Sequence, residues 1–136
     1  MIDVMKMFKA RMWMKRNVPF LYSWHAYVGY ELDLFKAFER GVTVADVADA
    51  YQIDEILLNQ WTSVGVSIGH LKSMSRQRYK TGSMWKLPRP KEESSSGVIL
   101  KEMMELHIPS LLAYPDMMRN KTRNHFDSEK HADTVA

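Results

Sequence analysis

The chain has 136 residues, a formal net charge of +3 and 46% hydrophobic residues, the make-up of one ordinary globular domain and not of a disordered chain. It holds no cysteine, which excludes disulfides, thiolate metal sites and a cysteine nucleophile. No apolar run reaches the roughly 18 residues of a membrane span, and residues 18–30 are too polar for a signal peptide, with Ser23, His25 and several tyrosines among them. A cytoplasmic protein with no membrane partner is expected.

Residues 1–16 read as a helical arm rich in methionine and lysine. Met5, Phe8 and Met12 recur at three and four residues and form one apolar line. Met1, Met7, Trp13 and Met14 spread apolar surface beyond it. A terminal helix this apolar needs a cover, and a second copy of the chain supplies one readily. The candidate interface residues are Met5, Phe8, Met12, Trp13, Phe20 and Trp24.

Asn17, Val18 and Pro19 are expected to break this helix, with Pro19 opening the next, which runs to Arg40 and stops at Gly41. Its aromatic load (Phe20, Tyr22, Trp24, Tyr27, Tyr30, Phe35, Phe38) marks it as a central core element rather than a stacking platform. Thr43 resembles the first residue of a capping box, with Asp46 in place of Glu, and Val44, Val47 and Ala48 form the buried side of a helix ending at Tyr51. Asp54 caps a further helix, with Glu55 near its positive end. Ile56, Leu57, Gln60, Trp61 and Val64 follow at helical spacing, and Gly65 and Gly69 close it. Two short helices after a longer one form a helix-turn-helix. Residues 70–74 and 76–81 then switch to strand period, with a turn near Met74 and Ser75, as a small β-hairpin wing. Leu71 and Tyr79 are placed to cover the core.

Residues 88–97 are a linker by composition. A C-terminal helical segment, 98–126, follows, interrupted at Pro109 and again at Tyr114-Pro115-Asp116, with a polar loop over 119–126. Asp127 or Ser128 caps a helix that has barely begun at Ala136, as though a longer protein continued. The organisation is a mainly α chain: arm 1–16, winged helix-turn-helix core 17–87, linker 88–97, helical segment 98–126 and tail 127–136.

Charge is unevenly spread. Residues 31–59 carry seven acids and two bases, whereas residues 60–91 carry seven bases and no acid. Arg76, Arg78 and Lys80 on the wing are the candidate phosphate contacts if the domain reads DNA. The second helix of the motif argues against that. Its leading end offers Asp54 and Glu55 where a groove reader carries Arg, Lys or Asn, so nucleic acid is not an expected partner.

Catalytic chemistry is missing. Histidines 25, 70, 107, 125 and 131 make no pair at the spacing of a helical metal site. Gly65 and Gly69 follow a helix and precede a strand, the wrong context for a phosphate cradle. There is no nucleophile elbow, and Glu92 and Glu93 stand side by side in a linker. No catalytic, cofactor or metal residue is expected in this chain.

Three stretches carry a family likeness: YELDLFKAF at 30–38, TVADVA at 43–48 and WTSVGVSIGHLK at 61–72. They resemble the N-terminal winged-helix domain of class I S-adenosylmethionine (SAM)-dependent methyltransferases of the O-methyltransferase type. RYKT at 78–81 is similar to that domain's second wing strand, and EMMELHIPSLLAYP at 102–115 to the helix leading toward the catalytic domain. The likeness covers about residues 20–130 and rests on hydrophobic patterns rather than catalytic signatures. It implies a homodimerisation domain that also helps close a small-molecule substrate pocket. SAM would sit in a separate catalytic domain not contained in this chain, so no catalytic residue carries over.

Overall fold

The computed structural model describes residues 3–82 and 97–121. They belong to two units, one within residues 1–85 and one within 86–136.

The first unit opens on α1, Val4–Glu31. Asp3 caps it, its side chain accepting from the Met5 amide at 2.9 Å. The expected break at residues 17–19 does not occur: α1 runs through Pro19 without interruption. Proline removes one donor, and the carbonyl that loses it is that of Lys15, in an exposed stretch where solvent can compensate. One turn earlier, the Asn17 side chain donates from Nδ2 to the Trp13 carbonyl at 2.7 Å. An interior proline still costs about 3 kcal/mol relative to alanine. Pro19→Ala is therefore expected to stabilise the unit by about 1–3 kcal/mol, read as a higher urea midpoint. An unchanged or lower midpoint would mean that the proline terminates a helix after all.

Nor does the second half of the helix reach Arg40. It ends at Glu31; Asp33 takes a left-handed conformation (φ +53°), and the chain restarts as α2, Leu34–Ala37. Aspartate tolerates that conformation better than most residues. The reversal folds Phe35 back onto α1, where its ring lies 5.2 Å from that of Tyr30. Gly29 makes this possible, because a Cβ there would collide with the Phe35 ring.

After Gly41 comes a short strand that periodicity did not reveal, β1, Val42–Thr43. Thr43 then caps α3, Val44–Tyr51, its hydroxyl accepting from the Asp46 amide at 3.2 Å. Gln52 (φ +54°) closes α3, and the Ile53 amide reaches back to the Ala48 carbonyl. Asp54 caps α4, Glu55–Ile68, accepting from the Leu57 amide at 2.9 Å. Gly69, at φ +86°, ends it. Gly65 does not: it lies buried inside α4, where an added Cβ would stand 2.6 Å from the His25 ring.

β2, Leu71–Ser73, and β3, Arg78–Thr81, form the hairpin. With β1 they make an antiparallel sheet of order β1-β3-β2. The turn lies one step later than expected: Arg76 and Gln77 both have positive φ, and the Met74 amide bonds the Arg78 carbonyl at 2.8 Å. Thr81 ties the hairpin to α2, donating its amide to the Phe38 carbonyl and its hydroxyl to that of Phe35.

The core is Leu34, Phe38, Val44, Val47, Ala48, Leu58, Trp61 and Leu71, with Trp24, Val28 and Tyr79 against it. On α4 the buried stripe is Leu58, Trp61, Thr62 and Gly65. Ile56 and Leu57, placed with Trp61 by helical spacing, are exposed.

The second unit is helical: α5 (Gly97–Glu102), a π-helical turn (Met103–His107), α6 (Ile108–Leu112) and α7 (Tyr114–Asn120). The expected interruption at Pro109 takes the form of that widened turn, the ladder adjusting ahead of a residue with no N–H. α7 continues to Asn120, so the polar loop begins later than expected. The linker over 88–96 and the helix start at Asp127 or Ser128 lie outside the described residues. The chain is thus mainly α with a small hairpin wing, and among the described residues no helix is long and apolar enough to cross a membrane.

Candidate protein–protein interface

α1 is buried in one half and bare in the other. Its C-terminal half contributes His25, Ala26 and Gly29 to the interior. Among the described residues its N-terminal half is exposed: Met5, Phe8 and Trp13 are 60%, 60% and 64% exposed, and Met12 and Phe20 are exposed as well. Trp24, the sixth candidate, packs partly against the core.

A second apolar line runs beside the one noted in the sequence. Met7, Met14 and Leu21 are spaced by seven residues, and the next step is Val28, which packs on the core. Seven residues return a helix to nearly the same face, drifting by about 20°. The stripe that meets the core at Val28 therefore continues, exposed among the described residues, toward the N-terminus. The seven-residue spacing was the available signal, masked in the sequence by the expected break at Pro19.

Charge marks the same half. From residue 4 to residue 30 there is no acid, and Lys6, Lys9, Arg11, Lys15 and Arg16 punctuate the apolar surface. Lys9, Met12, Trp13 and Arg16 line a small notch of about 130 Å³. The Arg16 guanidinium stands 5.6 Å from the centre of the Trp13 ring, a cation–π contact that holds both side chains in place.

What fixes the helix is a buried knot at its other end. His25 is fully buried and His70 nearly so, their Nδ1 atoms 2.9 Å apart. His25 Nε2 bonds the Trp61 carbonyl at 2.9 Å, and Trp61 Nε1 donates to the His25 carbonyl at 3.1 Å. The two rings stack at 4.0 Å. Since a carbonyl only accepts, His25 Nε2 carries a proton; in the neutral pair His25 Nδ1 then accepts and His70 Nδ1 donates. Burial, then the proximity of His70, lowers the His25 pKa to about 4, against an opposing pull from the Trp61 carbonyl. Burial lowers that of His70 too. The knot joins α1, α4 and the residue that leads into β2, and it is buried, a structural tie between these elements.

The wing presents its basic residues outward. Arg78 and Lys80, two apart on β3, are exposed on one face, Arg76 sits in the turn, and Lys72 lies directly across from Lys80. A groove of about 440 Å³ lies between α2 and α3, floored by Ala37, Val42, Val47 and Ala50 and rimmed by charges of both signs. Among the described residues no three His, Asp or Glu converge as metal ligands.

No protein-family model matches the chain, and no curated protein matches it either. Solved structures do. N,N-8-amino-8-demethyl-D-riboflavin dimethyltransferase (RosA) from Streptomyces davawensis superposes with a TM-score of 0.60 and 21% identity, over 82% of this chain and 33% of that one. LepI in complex with SAM gives 0.58 and 18%, over 93% and 33%. A LepI variant with SAH and a substrate analogue gives 0.55 and 16%, over 90% and 31%. The likeness is one of fold. This chain spans about a third of the length of each of those chains. The described residues do not themselves fit SAM. No glycine lines the α2–α3 groove, Gly41 packs on the Met74 side chain, and Gly69 ends a helix instead of opening one.

Proposed function

We propose that this chain is a non-catalytic dimerisation and substrate-lid domain, of winged-helix type, from a cytoplasmic SAM-dependent methyltransferase. The observation that carries this reading is the bare N-terminal half of α1: a continuous helix, apolar on two lines and anchored at its far end. Monomeric proteins rarely leave so much contiguous apolar surface in water. Support also comes from the fold shared with a third of the RosA and LepI chains, the first named as a methyltransferase and the second solved with SAM. In this reading SAM and the small-molecule acceptor belong to a catalytic domain that the described residues do not contain.

Sedimentation equilibrium at about 10 μM is expected to show a homodimer, a range in which specific interfaces of ordinary strength are filled. Phe8→Glu combined with Trp13→Glu places two carboxylates in the contact and should weaken it by at least about thirtyfold. The same variant should keep the thermal melt of the isolated fold, because both side chains are exposed. A wild-type monomer at that concentration, or a double variant that dimerises normally, overturns the reading.

The second reading, a DNA-binding regulator, draws on the exposed basic wing. It is opposed by α4, whose exposed leading turn is Glu55, Ile56 and Leu57. Duplex binding whose affinity falls steeply with salt would favour it over the dimer domain.

A further inference from the structure

The leading turn of α4 is unusual for a surface that faces water. Ile56 is 71% exposed and Leu57 62%, although the same helix buries Leu58 and Trp61. Two neighbouring branched aliphatic side chains thus form a knob at the helix tip. Asp54 and Glu55 precede them, both exposed, and no ion pair engages either among the described residues. The tip is apolar and acidic at once.

The notch on α1 is its complement. Met12 and Trp13 form an apolar dent of about 130 Å³, close to the volume of one aliphatic side chain and too small for most cofactors. Lys9 and Arg16 flank it, one turn to either side. The notch is apolar and basic at once. Among the described residues both surfaces are exposed, at Ile56 and Leu57 on one and Trp13 on the other. The notch lies nine to sixteen residues before His25, the point where α1 meets α4, on the half of the helix that is exposed among the described residues.

We infer that the α4 tip of one copy docks into the α1 notch of a second copy, Ile56 or Leu57 filling the dent over Met12 and Trp13 while Asp54 and Glu55 face Lys9 and Arg16. This rests on the dimer reading above and names the surface that receives the arm. Charge complementarity selects the occupant. A nucleic acid or an anionic membrane would be repelled by Asp54 and Glu55, and a basic peptide by Lys9 and Arg16; a second copy satisfies both surfaces in one contact. In a two-fold dimer the contact occurs twice, so each substitution acts at two places.

The test is a charge swap read by sedimentation equilibrium on the full chain. Ile56→Ser with Leu57→Ser should raise the dimer dissociation constant at least about tenfold, with the circular dichroism spectrum and melt unchanged. Arg16→Glu should weaken the dimer, as should Glu55→Arg. The two together should recover most of the loss, a coupling that no independent pair of sites gives. Three outcomes overturn the docking alone: a wild-type dimer whose dissociation constant the Ile56/Leu57 variant leaves unchanged, losses from Arg16→Glu and Glu55→Arg that simply add, or an Ile56/Leu57 variant that loses its fold. A wild-type chain that stays monomeric overturns the dimer reading together with the docking.

Discussion

Trp61→Ala is expected to remove most of the stability of the first unit. Trp61 is 2% exposed, and four contacts meet on it. Its ring stacks on His25 at 4.0 Å and lies 6.1 Å from Phe38. Its Nε1 satisfies the His25 carbonyl, and its own carbonyl accepts from His25 Nε2. Truncating a buried aromatic ring to alanine costs about 3–5 kcal/mol through lost burial and the cavity left behind. The His25 carbonyl would also lose its donor in the interior, a further cost of about 1–2 kcal/mol. Domains of this size hold only about 5–15 kcal/mol in all. The melting temperature should therefore fall by about 20 °C or more. Trp61→Phe separates the two contributions, since it retains a stacking ring and loses only the donor and some volume; its melt should fall by much less. A drop below about 5 °C for the alanine variant would mean that the stack is peripheral and that α1 is held by other contacts.

That knot also shows where the sequence was readable and where it was not. Local signals worked where they act locally. Thr43 and Asp54 cap their helices through their own side chains, and Gly69 ends α4 in the left-handed conformation that glycine favours. The hairpin followed from its change of period, with Leu71 and Tyr79 on the core side. Failures came where distant residues decide. Gly65 looks like a terminator by composition, yet its missing Cβ makes room for a histidine forty residues earlier. Pro19 looks like a break, yet it stands on an exposed side of a helix whose ladder recovers around it. His25 and His70 read as unrelated polar residues, because only the packing of α1 on α4 brings their rings together. β1, two residues long, has no periodicity to detect and exists because β3 is there to pair with it.

For the candidate interface the sequence offered composition but not direction. Apolar residues occur all along 1–24, and Met5, Phe8, Met12, Trp13 and Phe20 are exposed. Trp24 could not be separated from them by pattern alone, since the apolar stripe is continuous and only the position of the core decides where covering begins. Ile56 and Leu57 show the converse. Helical spacing groups them with Trp61, but the buried stripe passes through Leu58 and Trp61 and leaves both of them outside it. A run of three consecutive aliphatic residues at 56–58 leaves the phase undetermined until the helix is docked.

Acid should loosen the same knot, and the sign follows from which state binds more protons. In the folded protein His25 stays neutral down to about pH 4, because protonation would place a cation in a closed apolar site beside His70. Unfolded, the imidazole titrates at its ordinary value of 6.5. Between those values the unfolded chain holds the extra proton, so stability falls as the pH drops. The contribution is complete above about 6.5, declines by about 2 kcal/mol at pH 5, and levels off below 4 at a loss of about 3 kcal/mol. His70 works in the same direction, its pKa also being lowered by burial. Urea midpoints for the wild type should therefore fall between pH 7.5 and pH 5. His25→Gln should start lower at pH 7.5 and show a shallower dependence, since the titrating ring is gone. A wild-type midpoint that stays flat over this range would mean that the imidazole takes up its proton while still folded, and that the α1–α4 junction admits water.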